Sequence, residues 1–201
     1  MNAISASGIE ALEKKGCTVG PDVENAQAYL IRSADLHSSP LPESLLAIGR
    51  AGAGTNNIPV ADCTEKGIAV FNSPGANAEA VKEQEICAMV MASRDVLGSI
   101  EWVKSIADRG EEIPTLVEKC KSNLAGPELL GKSLGVIGLG ATGSMVANAA
   151  LAIGMVGYGY DPFMSVDAAW RLSGDVIHSD SIDDIFRNCD YISLNVPYNK
   201  G

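Results

Sequence analysis

Six consecutive residues combine type and spacing in a way that can hold a phosphate: Gly138-Leu139-Gly140-Ala141-Thr142-Gly143. The apolar run "SLGVIG" leads into them and the alanine-rich "ATGSMVANAALAI" leads away, so the glycines fall where a strand turns into a helix. In a G-x-G-x-x-G turn each glycine has its own task. Gly138 permits the tight turn, Gly140 lets a diphosphate reach the backbone, and Gly143 lets the helix pack on the strand. The amides of Ala141 and Thr142 open the helix, where unpaired N–H groups and the helix dipole favour an anion. The next apolar run, "MVGYGY", ends at Asp161, about 20 residues further on. A carboxylate there can accept hydrogen bonds from the adenosine ribose, and its charge opposes a 2′-phosphate. NAD rather than NADP is therefore the expected cofactor. On these residues alone an S-adenosylmethionine-dependent methyltransferase stays open as an alternative, because it also uses a glycine loop and an acid after the second strand but needs no diphosphate site.

Such a loop needs a sheet to carry it. In the second half "KSLGVIG", "MVGYGY", "DVIH" and "YISLNV" read as strands, with helices over 142–153, 166–172 and 182–187. A doubly wound sheet of order 3-2-1-4 would put the fourth strand, which ends at Val196 and Pro197, beside the first and on the cofactor crevice. In the first half "AYLIRSADL", "LLAIGRAGAGTNNIPV" and "GIAVFNSPGANAEAV" each begin as a strand and break into a polar or glycine-rich loop. The alternation predicts an α/β fold with parallel sheets. Residues 78–104 read as one long helix, and 109–132, interrupted by Pro114, Gly126 and Pro127, as a loop or spacer.

A net charge of −10 argues against nucleic acid or anionic membrane as a partner, since a negative field repels phosphates. No apolar stretch approaches the roughly 20 residues of a spanning helix, and the N-terminus lacks the basic start and apolar centre of a signal peptide. The five cysteines form no Cys-x-x-Cys pair, the usage expected of reduced structural thiols in a cytoplasmic protein.

The segments "GRAGAGTNNIPVADCTEKGIAVFNSPGANAEAVKE" and "LLGKSLGVIGLGATGSMVANAALAIGMVGYGYDP" resemble the D-isomer-specific 2-hydroxyacid dehydrogenases, and among them the D-3-phosphoglycerate dehydrogenases. The resemblance removes the methyltransferase alternative, because those enzymes lack the Arg-Ala-Gly-x-Gly segment. It implies a flavodoxin-like substrate-binding domain over 1–93. The first four strands of a doubly wound (Rossmann) NAD-binding domain follow over 94–201, with 94–132 as connecting helix and spacer. It also implies roles for individual residues. Arg50 would face the anionic end of a small 2-hydroxy acid, alongside the Ala51–Gly52 backbone. Asn77 would lie on the substrate side and Ser73 near the nicotinamide half of the cofactor. A local turn-stabilising hydrogen bond accounts for Ser73 and Asn77 equally well. Relatives often carry histidine where this chain has Asn195, and arginine where it has Ala141.

The reaction implied is hydride transfer from C2 of a D-2-hydroxy acid to NAD, best matched by 3-phosphoglycerate going to 3-phosphohydroxypyruvate in serine biosynthesis. The Arg, Glu and His that perform it in relatives are expected beyond Gly201, so the chain reads as C-terminally incomplete and inactive alone, and as a homo-oligomer at full length. Neither His37 nor His178 has a glutamate at a useful spacing. An unpaired fourth strand would also make the fragment marginally stable or prone to association. Two other readings stay open, a non-catalytic NAD-binding or dimerising module and a dehydrogenase for another D-2-hydroxy acid.

Overall fold

The computed structural model describes residues 4–197, and the chain divides into two compact units, Met1–Asn77 and Ala78–Gly201. In the first, helix α1 (Ala6–Glu13) starts at Ser5, whose hydroxyl accepts a hydrogen bond from the Gly8 N–H. Strands β1 (Ala28–Ile31) and β2 (Ala47–Arg50) are followed by the short helix α2 (Val60–Glu65) and β3 (Ala69–Asn72). The three strands pair in sequence order and all run parallel, with Ile31, Arg50 and Asn72 in register. Ile31, Ile48, Ile58, Cys63 and Ile68 form the core beneath them. Each of these isoleucines contributes on the order of 1.5–3 kcal/mol by leaving water.

The second unit opens with α3 (Ala78–Ser93), α4 (Val96–Ser105) and α5 (Ile113–Cys120). The single helix expected over 78–104 is in fact two. The Asp95 carboxylate accepts from the Gly98 N–H at 2.9 Å, so the chain leaves helical geometry and starts again. The expected spacer over 109–132 holds α5, flanked by 3₁₀ turns. Pro114 lies in the first turn of α5, where a missing N–H breaks no helical bond. Next come β4 (Ser133–Ile137), α6 (Ala141–Ala152), β5 (Val156–Tyr160), α7 (Val166–Arg171), β6 (Ile177–His178), α8 (Ile182–Asn188) and β7 (Tyr191–Leu194). The sheet order is β6-β5-β4-β7 and every pairing is parallel, which is the expected 3-2-1-4 arrangement. Met89 of α3 shares a core with Leu134, Val136, Leu139, Val146 and Ala150. This packing places α3 in the second unit, so the compact units part at Asn77/Ala78, ahead of the boundary at residue 93 drawn from the sequence. Among the described residues no helix is long and apolar enough to cross a membrane.

Candidate functional site

The glycine loop lies at the carboxyl end of β4, the inner strand that joins β5 to β7. Its three glycines answer to three different constraints. Gly138 has φ +89°, and a Cβ on it would stand 2.6 Å from the Asn195 carbonyl oxygen and 2.7 Å from Val196 Cγ1. Either condition alone selects glycine. A Cβ on Gly143 would overlap the carbonyl of Gly138, so α6 can approach the turn only without one. Gly140 is exposed, has φ −67°, and has no atom within 4 Å of where its Cβ would be. Among the described residues nothing requires glycine there, and the open side of the backbone is room for a ligand. No side chain caps α6, and the first backbone bond back to the loop runs from Ser144 N–H to the Gly140 carbonyl at 3.1 Å. Among the described residues no acceptor meets the amides of Ala141 and Thr142, which can therefore meet an anion. These features fit a dinucleotide diphosphate.

The loop is also fastened. Leu139 is 1% exposed, and its side chain packs where a Cβ on Gly159 would have to go. The Ser144 hydroxyl donates to the Leu139 carbonyl at 2.7 Å. The Leu139 N–H donates to Asp161 Oδ2 at 2.8 Å, and the Phe163 N–H donates to Asp161 Oδ1 at 2.9 Å. Asp161 therefore staples the end of β5 to the glycine loop, a second task that nothing in its local residue pattern signals. Each carboxylate oxygen has a further lone pair, so the half-buried side chain can still accept from a ribose hydroxyl. Val196 and Pro197, both exposed, follow β7 at the same edge; the Asn195 N–H donates to the Ile137 carbonyl at 2.8 Å, holding that end of β7 against β4. The structure thus brings Gly138, Gly140, Ala141, Thr142, Gly143, Asp161 and Val196 to one end of one sheet.

In the first unit Arg50 ends β2. Its Nε donates to the Arg32 carbonyl at 3.1 Å, an oxygen that Asn57 Nδ2 also approaches at 3.3 Å. The guanidinium folds over the following loop, where a Cβ on Gly52 would collide with it. With Nε committed, its terminal nitrogens can serve an anion. The Ala51 N–H donates to the Ile31 carbonyl. Ser73 Oγ accepts from the Gly52 N–H at 2.8 Å and donates to the Arg50 carbonyl at 3.3 Å, so this hydroxyl ties the loops after β2 and β3 together. Asn77 is exposed at the end of the turn before α3.

The two histidines are engaged elsewhere. His37 is hydrogen-bonded through Nε2 to the Asn56 carbonyl, and His178 pairs at 3.5 Å with Asp180 on the surface. Burial first, and then a neighbouring aspartate, pushes the Cys63 and Cys189 thiols above their ordinary range, which disfavours the nucleophilic thiolate. The Asp190 carboxyl, before β7, is held below the usual range by the Ser133 N–H, by the Ser133 hydroxyl and by Lys132.

The family model described as the NAD binding domain of D-isomer specific 2-hydroxyacid dehydrogenases matches residues 86–201, more than half of the chain. The chain belongs to that family. As a D-2-hydroxyacid dehydrogenase NAD-binding domain it takes NAD as its cofactor. It is 38% identical over 178 residues to D-3-phosphoglycerate dehydrogenase of Methanocaldococcus jannaschii, covering 87% of this chain and 32% of that protein. It is 36% identical to hydroxypyruvate reductase of Thermotoga maritima, covering 87% and 53%. NAD+-bound 3-phosphoglycerate dehydrogenase of Entamoeba histolytica superposes with a TM-score of 0.57 at 28% identity, covering 87% of this chain and 48% of that one. The chain spans about a third of the length of the first curated relatives it matches.

Proposed function

We propose that the chain is the NAD-holding and anion-receiving part of a D-2-hydroxyacid dehydrogenase that oxidises 3-phosphoglycerate to 3-phosphohydroxypyruvate, a cytoplasmic step towards serine. The observation that carries the reading is Gly140: an unconstrained glycine at an uncapped helix start, in a loop fixed by Asp161. NAD, when bound, supplies the hydride acceptor. The protein's own part is to orient it. The amides of Ala141 and Thr142 receive the diphosphate, Asp161 the adenosine ribose, and Val196 and Pro197 line the crevice beside Gly138. Arg50, set by the Arg32 carbonyl, receives the substrate's anionic end next to Ala51 and Gly52, with Asn77 on the substrate side. Ser73 holds that loop in shape and is assigned to the nicotinamide side of the cofactor. The general base is expected outside these 201 residues, because His37 and His178 are bound to a carbonyl and a surface carboxylate. The working enzyme is expected to be a homo-oligomer.

Titration with NAD and a spectrophotometric assay of 3-phosphoglycerate oxidation test the reading together. The 201-residue chain should bind NAD and leave 3-phosphoglycerate unchanged. Failure to bind NAD would overturn the cofactor site, and turnover would overturn the placement of the base. Another 2-hydroxy acid is the second reading, favoured by the hydroxypyruvate reductase of T. maritima at 36% identity; in a longer chain that contains the base, preference for glycerate over 3-phosphoglycerate would decide for it.

A further inference from the structure

We propose that Asn195 is a cofactor-binding residue whose Oδ1 accepts a hydrogen bond from the ribose on the nicotinamide side of NAD, and that Ser193 and Glu85 set the orientation of its amide. The proposal rests on reading the Gly138–Gly143 loop as the diphosphate site.

Position is the first argument. Asn195 follows β7 directly, and its carbonyl is the nearest of the atoms that forbid a Cβ on Gly138. It therefore stands at the loop's edge, half-buried. Hydrogen-bond polarity is the second. Tyr191, Ser193 and Asn195 alternate onto the face of β7 that meets α3. There Tyr191 OH pairs with Ser93 Oγ at 2.6 Å, and Ser193 Oγ pairs with Glu85 Oε2. A carboxylate only accepts, so the Ser193 hydroxyl must spend its one proton on Glu85. What remains to it is acceptance, and Asn195 Nδ2 donates to it at 2.7 Å. The two ends of the Asn195 amide are consequently not interchangeable. Its NH₂ is committed to the chain leading to Glu85, and among the described residues no donor meets Oδ1.

Matching chemistry is the third. The start of α6 offers only donors, which suits a diphosphate. Two acceptors stand on either side of it: Asp161 at the end of β5, and Asn195 at the end of β7, with β4 between them. Acceptor, donors, acceptor is the complement of ribose, diphosphate, ribose. With Asp161 assigned to the adenosine sugar, Asn195 falls to the other one.

Calorimetric titration of the chain with ADP, ADP-ribose and NAD separates the possibilities, because ADP lacks the second ribose and ADP-ribose lacks only the nicotinamide. Asn195→Ala should weaken NAD and ADP-ribose alike by roughly three- to tenfold and leave ADP unchanged. Ser193→Ala, which frees the amide to turn, should give the same ligand pattern with a smaller loss, and Ser193→Thr, which keeps the hydroxyl, should restore affinity. The Ser193 pair carries the test if Asn195→Ala does not fold. Equal loss on all three ligands would mean that Asn195 acts through the loop, and loss on NAD alone would mean a contact with the carboxamide; either overturns the proposal, as does no loss. Gly140→Val weakening all three ligands while Asn195→Ala changes none would leave the diphosphate reading intact and remove Asn195 from it.

Discussion

Both units place a glycine-rich loop at the carboxyl end of an inner parallel strand, yet the two loops present their hydrogen-bond donors in opposite ways. After β4 the helix begins at once, with Gly140 as its cap residue and no side chain covering its amides. After β2 the next helix begins only at Val60, and the amides of Ala51 and Gly52 are already taken by the Ile31 carbonyl and the Ser73 hydroxyl. The first loop offers backbone dipoles and the second a guanidinium. Backbone donors have fixed geometry and cannot be lengthened, so that loop needs bare glycine. A long side chain is flexible and needs an anchor to hold its charge in place, which Arg50 finds in the Arg32 carbonyl.

Substitutions at either loop break the contrast in different ways. The largest effect is expected from Gly143→Ala. Its methyl group would overlap the Gly138 carbonyl, and forcing the helix off the turn should cost roughly 3 kcal/mol or more, read as a lower melting temperature of the second unit. Gly140→Val should do the reverse. Nothing lies within 4 Å of the added Cβ, so the cost to stability should be that of a poorer N-cap, about 1 kcal/mol or less. NAD affinity should fall at least about tenfold, or about 1.4 kcal/mol. An unchanged calorimetric affinity would show that the loop meets no diphosphate. Ser73→Ala removes one of the two acceptors of the Gly52 N–H, leaving the Arg50 carbonyl at 2.9 Å. The cost, about 1 kcal/mol or less, should be visible as faster hydrogen exchange at the Gly52 amide, and a calorimetric NAD affinity equal to the parent's would remove Ser73 from the cofactor side. The smallest effect belongs to neither loop. Asp190→Asn removes a carboxylate whose folded pKa is depressed by Ser133 and Lys132. Its stabilisation is present above the unfolded pKa of about 3.9 and is lost as pH falls through the lower folded value. The variant should melt below the parent at neutral pH, and the gap should close in acid.

Much of this was legible from residue order because it depends on neighbours. The glycine spacing, the apolar runs on either side of it and the acid after the next run all reflect local geometry, and the strand order followed from them. What escaped depends on partners far along the chain or on the exact position of a breaker. Pro114 looks like an interruption but lies in a first helical turn. Asp95 looks like an ordinary helix residue but caps a new one, a signal that Gly98 three residues later could have raised. The bond from Leu139 to Asp161 and the chain from Asn195 to Glu85 join a backbone amide or a polar side chain to a residue on another element, and no periodicity records such a pairing. Ser73 was a cofactor contact or a turn residue on sequence grounds, and its hydroxyl is engaged within its own unit.

Leu139, the residue between the first two glycines, is held at its amide by Asp161, at its carbonyl by Ser144 and at its side chain by Gly159. A glycine turn fastened at three points has little freedom left to surrender when a dinucleotide arrives. Capture then pays almost no ordering penalty, so association should proceed in a single kinetic phase whose rate climbs linearly with NAD concentration, and residence time becomes the quantity through which affinity is tuned.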